Sequence, residues 1–160
     1  MYKFTPLMTV LAALSLSSHA SALSATQTIE KEKTVITEDG STQIIRTTAD
    51  TVVPGENIVY TLNFVNDDIN TPAATNLVLT MPVPKEVTYI EGSADRAGTV
   101  VVYSADGGET FSPRQTAMVL STDGNVRLAS AADITHVRWT VPGPVAAGET
   151  GQLSFTAVIK

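Results

Sequence analysis

The sequence predicts an all-β chain, an antiparallel β-sandwich of seven to nine strands, on two observations. Apolar residues recur with period two, and the runs that carry them are short and separated by turn-forming clusters. In residues 57–66 (NIVYTLNFVN), Ile58, Tyr60, Leu62 and Phe64 fall on one side, and Val59, Thr61, Asn63 and Val65 on the other. Successive side chains of a strand point to opposite faces, so this is the pattern of a half-buried strand with one core face and one wet face. Val137, Trp139 and Val141 alternate in the same way with His136, Arg138 and Thr140. Leu153, Phe155, Ala157 and Ile159 alternate with Gln152, Ser154, Thr156 and Val158. Strands with one wet face belong to antiparallel sheets.

The punctuation comes from Asp39-Gly40, Pro54-Gly55, the stretch 66–72, Pro82-Val83-Pro84, Asp106-Gly107-Gly108, Asp123-Gly124-Asn125, Pro142-Gly143-Pro144 and Gly148 with Gly151. Glycine supplies positive φ, proline removes a ladder donor, and Asp or Asn bonds its own backbone, so each cluster interrupts a strand by a definite mechanism. No long segment has a 3.6-residue period. Helix is expected only locally, near residues 129–133, where Ser130 or Asp133 can cap a turn.

The first 22 residues read as a secretory signal peptide. Met1-Tyr2-Lys3 carries one positive charge, residues 4–16 (FTPLMTVLAALSL) are mainly apolar, and Ala20-Ser21-Ala22 supplies small residues for cleavage. A membrane span needs about 18 or more consecutive apolar residues, and this run is shorter and broken by Thr5, Pro6 and Thr9. The expected product starts at Leu23, is exported to the periplasm, cell surface or exterior, and has no membrane span after cleavage. It divides into an N-terminal strand or hairpin segment at 23–52 and a sandwich at 53–160.

Composition narrows the function classes. The chain has no cysteine, which excludes disulfides, thiol catalysis, zinc-thiolate sites and a lipid-bearing N-terminal cysteine. Its formal charge is −6, one unit more negative without Lys3, and such a surface repels phosphate backbones, so nucleic acid is not an expected partner. Beyond the signal region only His136 is a histidine, it alternates with the apolar face, and no serine sits in a G-x-S-x-G elbow. Asp67 and Asp68 are adjacent in a loop and need not converge on one substrate atom. The expectation is a protein that is not an enzyme, with no catalytic residue, no cofactor and no metal site.

Residues 28–37 (TIEKEKTVIT) mix Glu30, Lys31, Glu32 and Lys33 with β-branched residues, then turn at Asp39-Gly40 into residues 42–48 (TQIIRTT). Charges of both signs are typical of an exposed edge strand, and the segment is expected to form an edge hairpin of the same sandwich. The alternative is that this segment leaves its own domain and adds as a strand to a neighbour's sheet.

The run Val53-Pro54-Gly55-Glu56-Asn57-Ile58-Val59-Tyr60-Thr61-Leu62, closed by Asn66, resembles the conserved Ig-like repeat domain of bacterial and archaeal surface proteins, a domain of unknown function. Later landmarks follow in the same order: Asn76-Leu77-Val78-Leu79-Thr80-Met81-Pro82, Tyr89-Ile90-Glu91-Gly92-Ser93, Val137-Arg138-Trp139 and Ala147-Gly148-Glu149. The resemblance covers residues 53–159. It implies an Ig-like sandwich in a surface, adhesive or scaffolding setting and carries over no catalytic residue. Such domains often stand in tandem, whereas here one is expected to stand alone without a wall-sorting tail, so binding or assembly is expected instead of a spacer role. The partner is expected to be protein, either another copy or an envelope protein, with a glycan as the further option.

Residues 104–111 (SADGGETF) resemble the Asp-box hairpin of β-propellers and other secreted β-proteins. Ser104 and Asp106 can accept backbone N–H groups across the turn, Gly108 can take positive φ, and Thr110 and Phe111 complete the motif. The expected role is a structural turn, with a cation or carbohydrate contact as the alternative. Acidic loops at Asn66, Asp67, Asp68 and Asn70, at Asp106 and Glu109, and at Asp123 and Asn125 lack the spacing of a calcium loop and read as solvated turns. Trp139 is expected in the core, and Tyr103 and Phe111 are the expected exposed aromatics.

Overall fold

A computed structural model of the chain describes residues 23–67 and 73–160. Residues 1–22, expected to be a signal peptide, and the loop positions Asp68 and Asn70 lie outside the described residues. The described chain is all-β, and its antiparallel sheets pack as a sandwich. Strands β1 (Leu23–Ile36), β2 (Thr42–Thr48), β3 (Asn57–Asn66), β5 (Val87–Tyr89) and β10 (Thr150–Ile159) form one sheet in the order β2-β1-β3-β10-β5. Strands β4 (Leu77–Pro82), β6 (Val100–Ser104) and β9 (His136–Val141) form the second, in the order β4-β9-β6. A separate two-stranded ribbon joins β7 (Met118–Leu120) to β8 (Val126–Leu128). These make ten strands among the described residues where turn spacing leads to an expectation of seven to nine; four of the ten have no more than five residues.

The core is built by the residues whose alternation faces inward. Ile58, Tyr60 and Phe64 of β3, Leu153, Phe155 and Ala157 of β10, and Val137 and Trp139 of β9 are buried between the sheets. Tyr60 stacks on Phe155 with ring centroids 5.0 Å apart. Full burial of each such side chain contributes roughly 1.5–3 kcal/mol. Trp139 lies at the centre with no exposed surface, as its place in the alternation predicts, and its indole N–H donates to the Ala94 carbonyl at 2.9 Å.

The wet-face expectation fails at two positions in β3. Val59 and Thr61 are each only 1% exposed, although they lie opposite the core-facing set. They occupy the middle of the central strand, with Glu30 and Thr156 registered beside Val59, and Thr28 and Ser154 beside Thr61. A strand flanked on both sides is shielded by its neighbours' side chains even without a second layer. Among the described residues, local helix is limited to single 3-10 turns at Arg114–Thr116 and Ala131–Asp133. The second has the expected capping: Asp133 accepts from the Ser130 backbone N–H at 2.7 Å and from its hydroxyl at 2.6 Å.

The N-terminal segment forms a hairpin at the sheet margin, but its charged strand is not the edge. β1 begins at Leu23, well before the charged run that opens at Glu30, pairs with β3 from Leu23↔Asn66 to Lys31↔Ile58, and leaves the edge to β2. The mixed charges are therefore paired locally: Lys31 meets Glu56 at 3.5 Å and Glu32 meets Arg46 at 3.7 Å.

Candidate functional site

The turn motif assembles as its residue types predict. Ser104, the last residue of β6, is buried and is held by two functions of one hydroxyl. Its Oγ donates to Asp106 at 2.6 Å and accepts from the Gly108 N–H at 2.9 Å. Asp106 then accepts from the Glu109 N–H at 3.1 Å, the Thr110 N–H at 3.0 Å and the Thr110 hydroxyl. Gly107 and Gly108 take φ of 81° and 93°, in the left-handed region that side chains other than glycine rarely adopt. The donated hydroxyls and amides hold the Asp106 carboxyl well below the usual carboxylate range. Every carboxylate contact named here serves the turn itself.

The turn is clamped to β9. The Gly107 N–H donates to the Thr135 hydroxyl at 3.1 Å, and the His136 ring lies where a Cβ on Gly108 would meet it at 3.3 Å. His136 is half-buried, shares a 3.2 Å hydrogen bond with Thr135 Oγ1, and meets Phe111 edge-on at 6.5 Å. It packs over the turn and is not a freely solvated side chain. On the same outer face the Arg138 guanidinium lies 3.4 Å from the Phe111 ring centroid, and its Nε donates to Thr80 at 2.9 Å. Such stacking contributes about 0.5–1 kcal/mol at an exposed site.

Of the two expected exposed aromatics, Phe111 is half-buried under Arg138 and Tyr103 is buried outright at 4% exposure. Tyr103 faces inward from β6 because its phenol finds a partner there, the Tyr89 hydroxyl at 3.0 Å. Burial pushes its titration above the ordinary tyrosine range. A phenol with an internal hydrogen-bond partner can enter a core that would otherwise reject it.

The acidic loops have local tasks. Asn66 is buried and donates to the Val145 carbonyl at 2.9 Å, while Asp67 accepts from Ser24. Asp123 accepts from the Asn125 side-chain amide at 2.9 Å and backbone N–H at 3.2 Å. No cluster of three or more His, Asp or Glu suited to a metal occurs among the described residues.

Two features escape the sequence reading. An open cleft of about 470 Å³ lies beside β1, β3 and β10, lined by Ser24, Thr26, Asn63, Arg96, Thr150 and Gln152 among others. Its residues come from distant stretches of chain, so no local motif announces it. The ribbon β7–β8 presents Met118, Leu120, Val126 and Leu128 on one face, all exposed. Here a signal exists, since the four alternate about the Asp123-Gly124-Asn125 turn. Compared with family models, with curated proteins and with solved structures, the chain matches none.

Proposed function

We propose that this is an exported, non-enzymatic structural or adhesive protein of the cell envelope or extracellular matrix, whose copies assemble by exchanging the β1–β2 hairpin. The observation that carries this reading is the way the hairpin is attached. β1 bonds to β3 through nine consecutive cross-strand pairs, yet Ser24, Ala25, Thr26, Gln27, Thr28 and Ile29 all remain exposed. β2 pairs only with β1. The hairpin is thus held by a backbone ladder and contributes little to the core. In a neighbour's sheet it would remake the same ladder on β3 in the same register, which is why exchange of an identical element is a low-cost route to oligomers.

The linker between β2 and β3 is the hinge such exchange needs. It contains Pro54 and Gly55, the latter with φ of 92°. Its contacts are the Lys31 Nζ bond to the Thr51 carbonyl at 2.7 Å, the Lys31–Glu56 pair at 3.5 Å, and two backbone bonds to β10, from the Gly55 N–H to the Ile159 carbonyl and from the Ile159 N–H to the Glu56 carbonyl, each at 3.0 Å. Removal of β1 would bare the backbone of β3, a central strand with no charged residue and no proline, and such an edge pairs readily. The Ig-like surface-domain resemblance points the same way, toward a surface or scaffolding setting.

Electron microscopy and sizing of the processed protein test the reading. Polymers or concentration-dependent oligomers that vanish when residues 23–33 are deleted are expected. A strict monomer at high concentration, unchanged by that deletion, contradicts it.

The cleft supports a second reading, a monomeric binding module for a glycan or an envelope protein. Phe64 and Val65 line it together with hydroxyls, side-chain amides and Arg96, a mixed surface that suits a ligand with both polar and apolar faces, and Gln152 donates to Asn63 at 3.2 Å within it. Retention of the monomer on an envelope glycan, lost with Arg96→Ala, would favour it.

A further inference from the structure

Strand β10 is paired with β3 from Thr150 to Val158, whereas β5 meets its other side only at Ala157, Val158 and Ile159. The Ile159 N–H donates to the Glu56 carbonyl at the β3 side, and the Lys160 N–H donates to the Glu86 carbonyl at the β5 side. Backbone groups of successive residues alternate between the two sides of a strand, so those of the even-numbered residues in β10 point away from β3. Thr156 obeys this: its carbonyl accepts from the Ile90 N–H at 2.9 Å, and its N–H donates to Ser93 Oγ at 3.0 Å. The backbone groups of Thr150, Gln152 and Ser154 that point the same way have no partner among the described residues.

The cause is local. After β5 the chain turns, with Gly92 at φ of 74°, and Ala94 enters the core, where its carbonyl accepts from the Trp139 indole. The chain thus leaves the plane of the sheet at Ser93, and β10 runs on from Phe155 back to Thr150 without a neighbour on that side. Exposed strand margins are normally protected by charge, proline or a bulge. Residues 150–155 carry neither charge nor proline. The cleft of about 470 Å³ and a smaller one of about 170 Å³ both open here and share Phe64, Arg96, Thr150 and Gly151. Gly151 has no side chain, so the Phe64 ring crosses its position and reaches both clefts. Arg96 is exposed beside them, and its guanidinium makes no ion pair among the described residues, whereas Lys31, Arg46, Arg114 and Arg127 are all paired.

We infer that the open half of β10 takes an extended acidic peptide from a partner protein, which adds as a further strand between β10 and Arg96. The free donors and acceptors recur every second residue, about 6.8 Å, which is the repeat of another strand's own backbone. A carboxylate on the incoming chain answers the Arg96 guanidinium in a chain that is otherwise net negative. A second copy fits less well, since β2, the margin it offers in this sheet, bears Arg46 and no acidic residue. The inference rests on the reading of the cleft as a binding site. It is independent of hairpin exchange, because β1 lies on the other side of β3.

Fluorescence anisotropy of the processed protein tests it with a labelled hexapeptide of alternating valine and threonine in which one threonine is replaced by glutamate. Affinity is expected to fall about tenfold or more when the peptide's amides are N-methylated, and about fivefold with Arg96→Gln. Ser154→Pro removes an outward N–H at a margin where proline is tolerated, and is expected to cost about tenfold. Circular dichroism and Trp139 fluorescence verify the fold. In the unaltered protein, saturating peptide is expected to slow hydrogen exchange of the Gln152 and Ser154 amides about tenfold or more, a readout that does not depend on the proline variant. Equal binding of the N-methylated peptide, no binding at millimolar peptide, or protection along β2 in place of Gln152 and Ser154 overturns the inference. If an envelope glycan is retained through Arg96 while the peptide does not bind, the cleft reading stands and the peptide is the wrong occupant. If neither binds, both fail.

Discussion

The Phe64 ring lies across Gly151 in the space that any other residue's Cβ would occupy, and the two residues are directly paired between β3 and β10. Gly151 does not need a positive φ, so its role there is steric. Gly151→Ala is expected to cost about 1–3 kcal/mol by overpacking. Urea denaturation measures this, and Phe64→Leu in the same chain should recover part of the loss, since contacting residues couple.

Thr61 supplies the opposite case. Its hydroxyl is buried in the middle of β3 with no hydrogen-bond partner among the described residues. Thr61→Val keeps the shape, removes the unpaired oxygen and should stabilise the fold by about 1 kcal/mol, seen as a rise in thermal midpoint.

Trp139 reports on the core because it is the only tryptophan. Its burial predicts blue-shifted emission poorly quenched by iodide. Trp139→Ala should cost about 3–5 kcal/mol, from lost packing and from the Ala94 carbonyl left without its donor.

Acid should weaken the fold through its turns. Hydrogen bonds from Thr37 and Ser41 lower Asp39 from 3.8 to about 2, and Asp106 and Asp133 are also lowered, by the hydroxyls of Ser104 and Thr110 and by Arg127 respectively. A carboxylate depressed in the folded state contributes stability above its unfolded value, and that contribution is lost as pH falls through the folded value. The thermal midpoint should therefore be flat from about pH 7 to pH 5 and decline below about pH 4. Asp106→Asn should lower the midpoint at neutral pH and make the acid decline shallower.

Where the sequence is legible, strong alternation coincides with one covered face. β9 and β10 follow their pattern except at the strand ends, where Val141 and Ile159 are only half-buried, and the Ser104 to Phe111 turn forms the bonds its residue types demand. Val59 and Thr61 break the pattern because shielding by flanking strands depends on sheet order, which no local stretch encodes. β1 is obscured for a related reason: the residues from Ser24 to Thr28 are polar or small with no period, and they form a strand because β3 offers a ladder. Tyr103 reads as exposed in the sequence because it is a phenol next to an acidic turn, and Tyr89, the partner that lets it be buried, is fourteen residues away. The cleft at Arg96 depends wholly on tertiary arrangement.

Hairpin exchange can be tested covalently because the chain has no cysteine of its own. Thr26 and Asn63 are directly paired across β1 and β3. Proteins carrying only Thr26→Cys and only Asn63→Cys, mixed as assembled material under mild oxidation, should yield a disulfide joining the two different chains. If the bond forms only when both cysteines are in one chain, and the mixed single variants remain unlinked, the hairpin stays on its own sandwich and the proposed assembly is wrong.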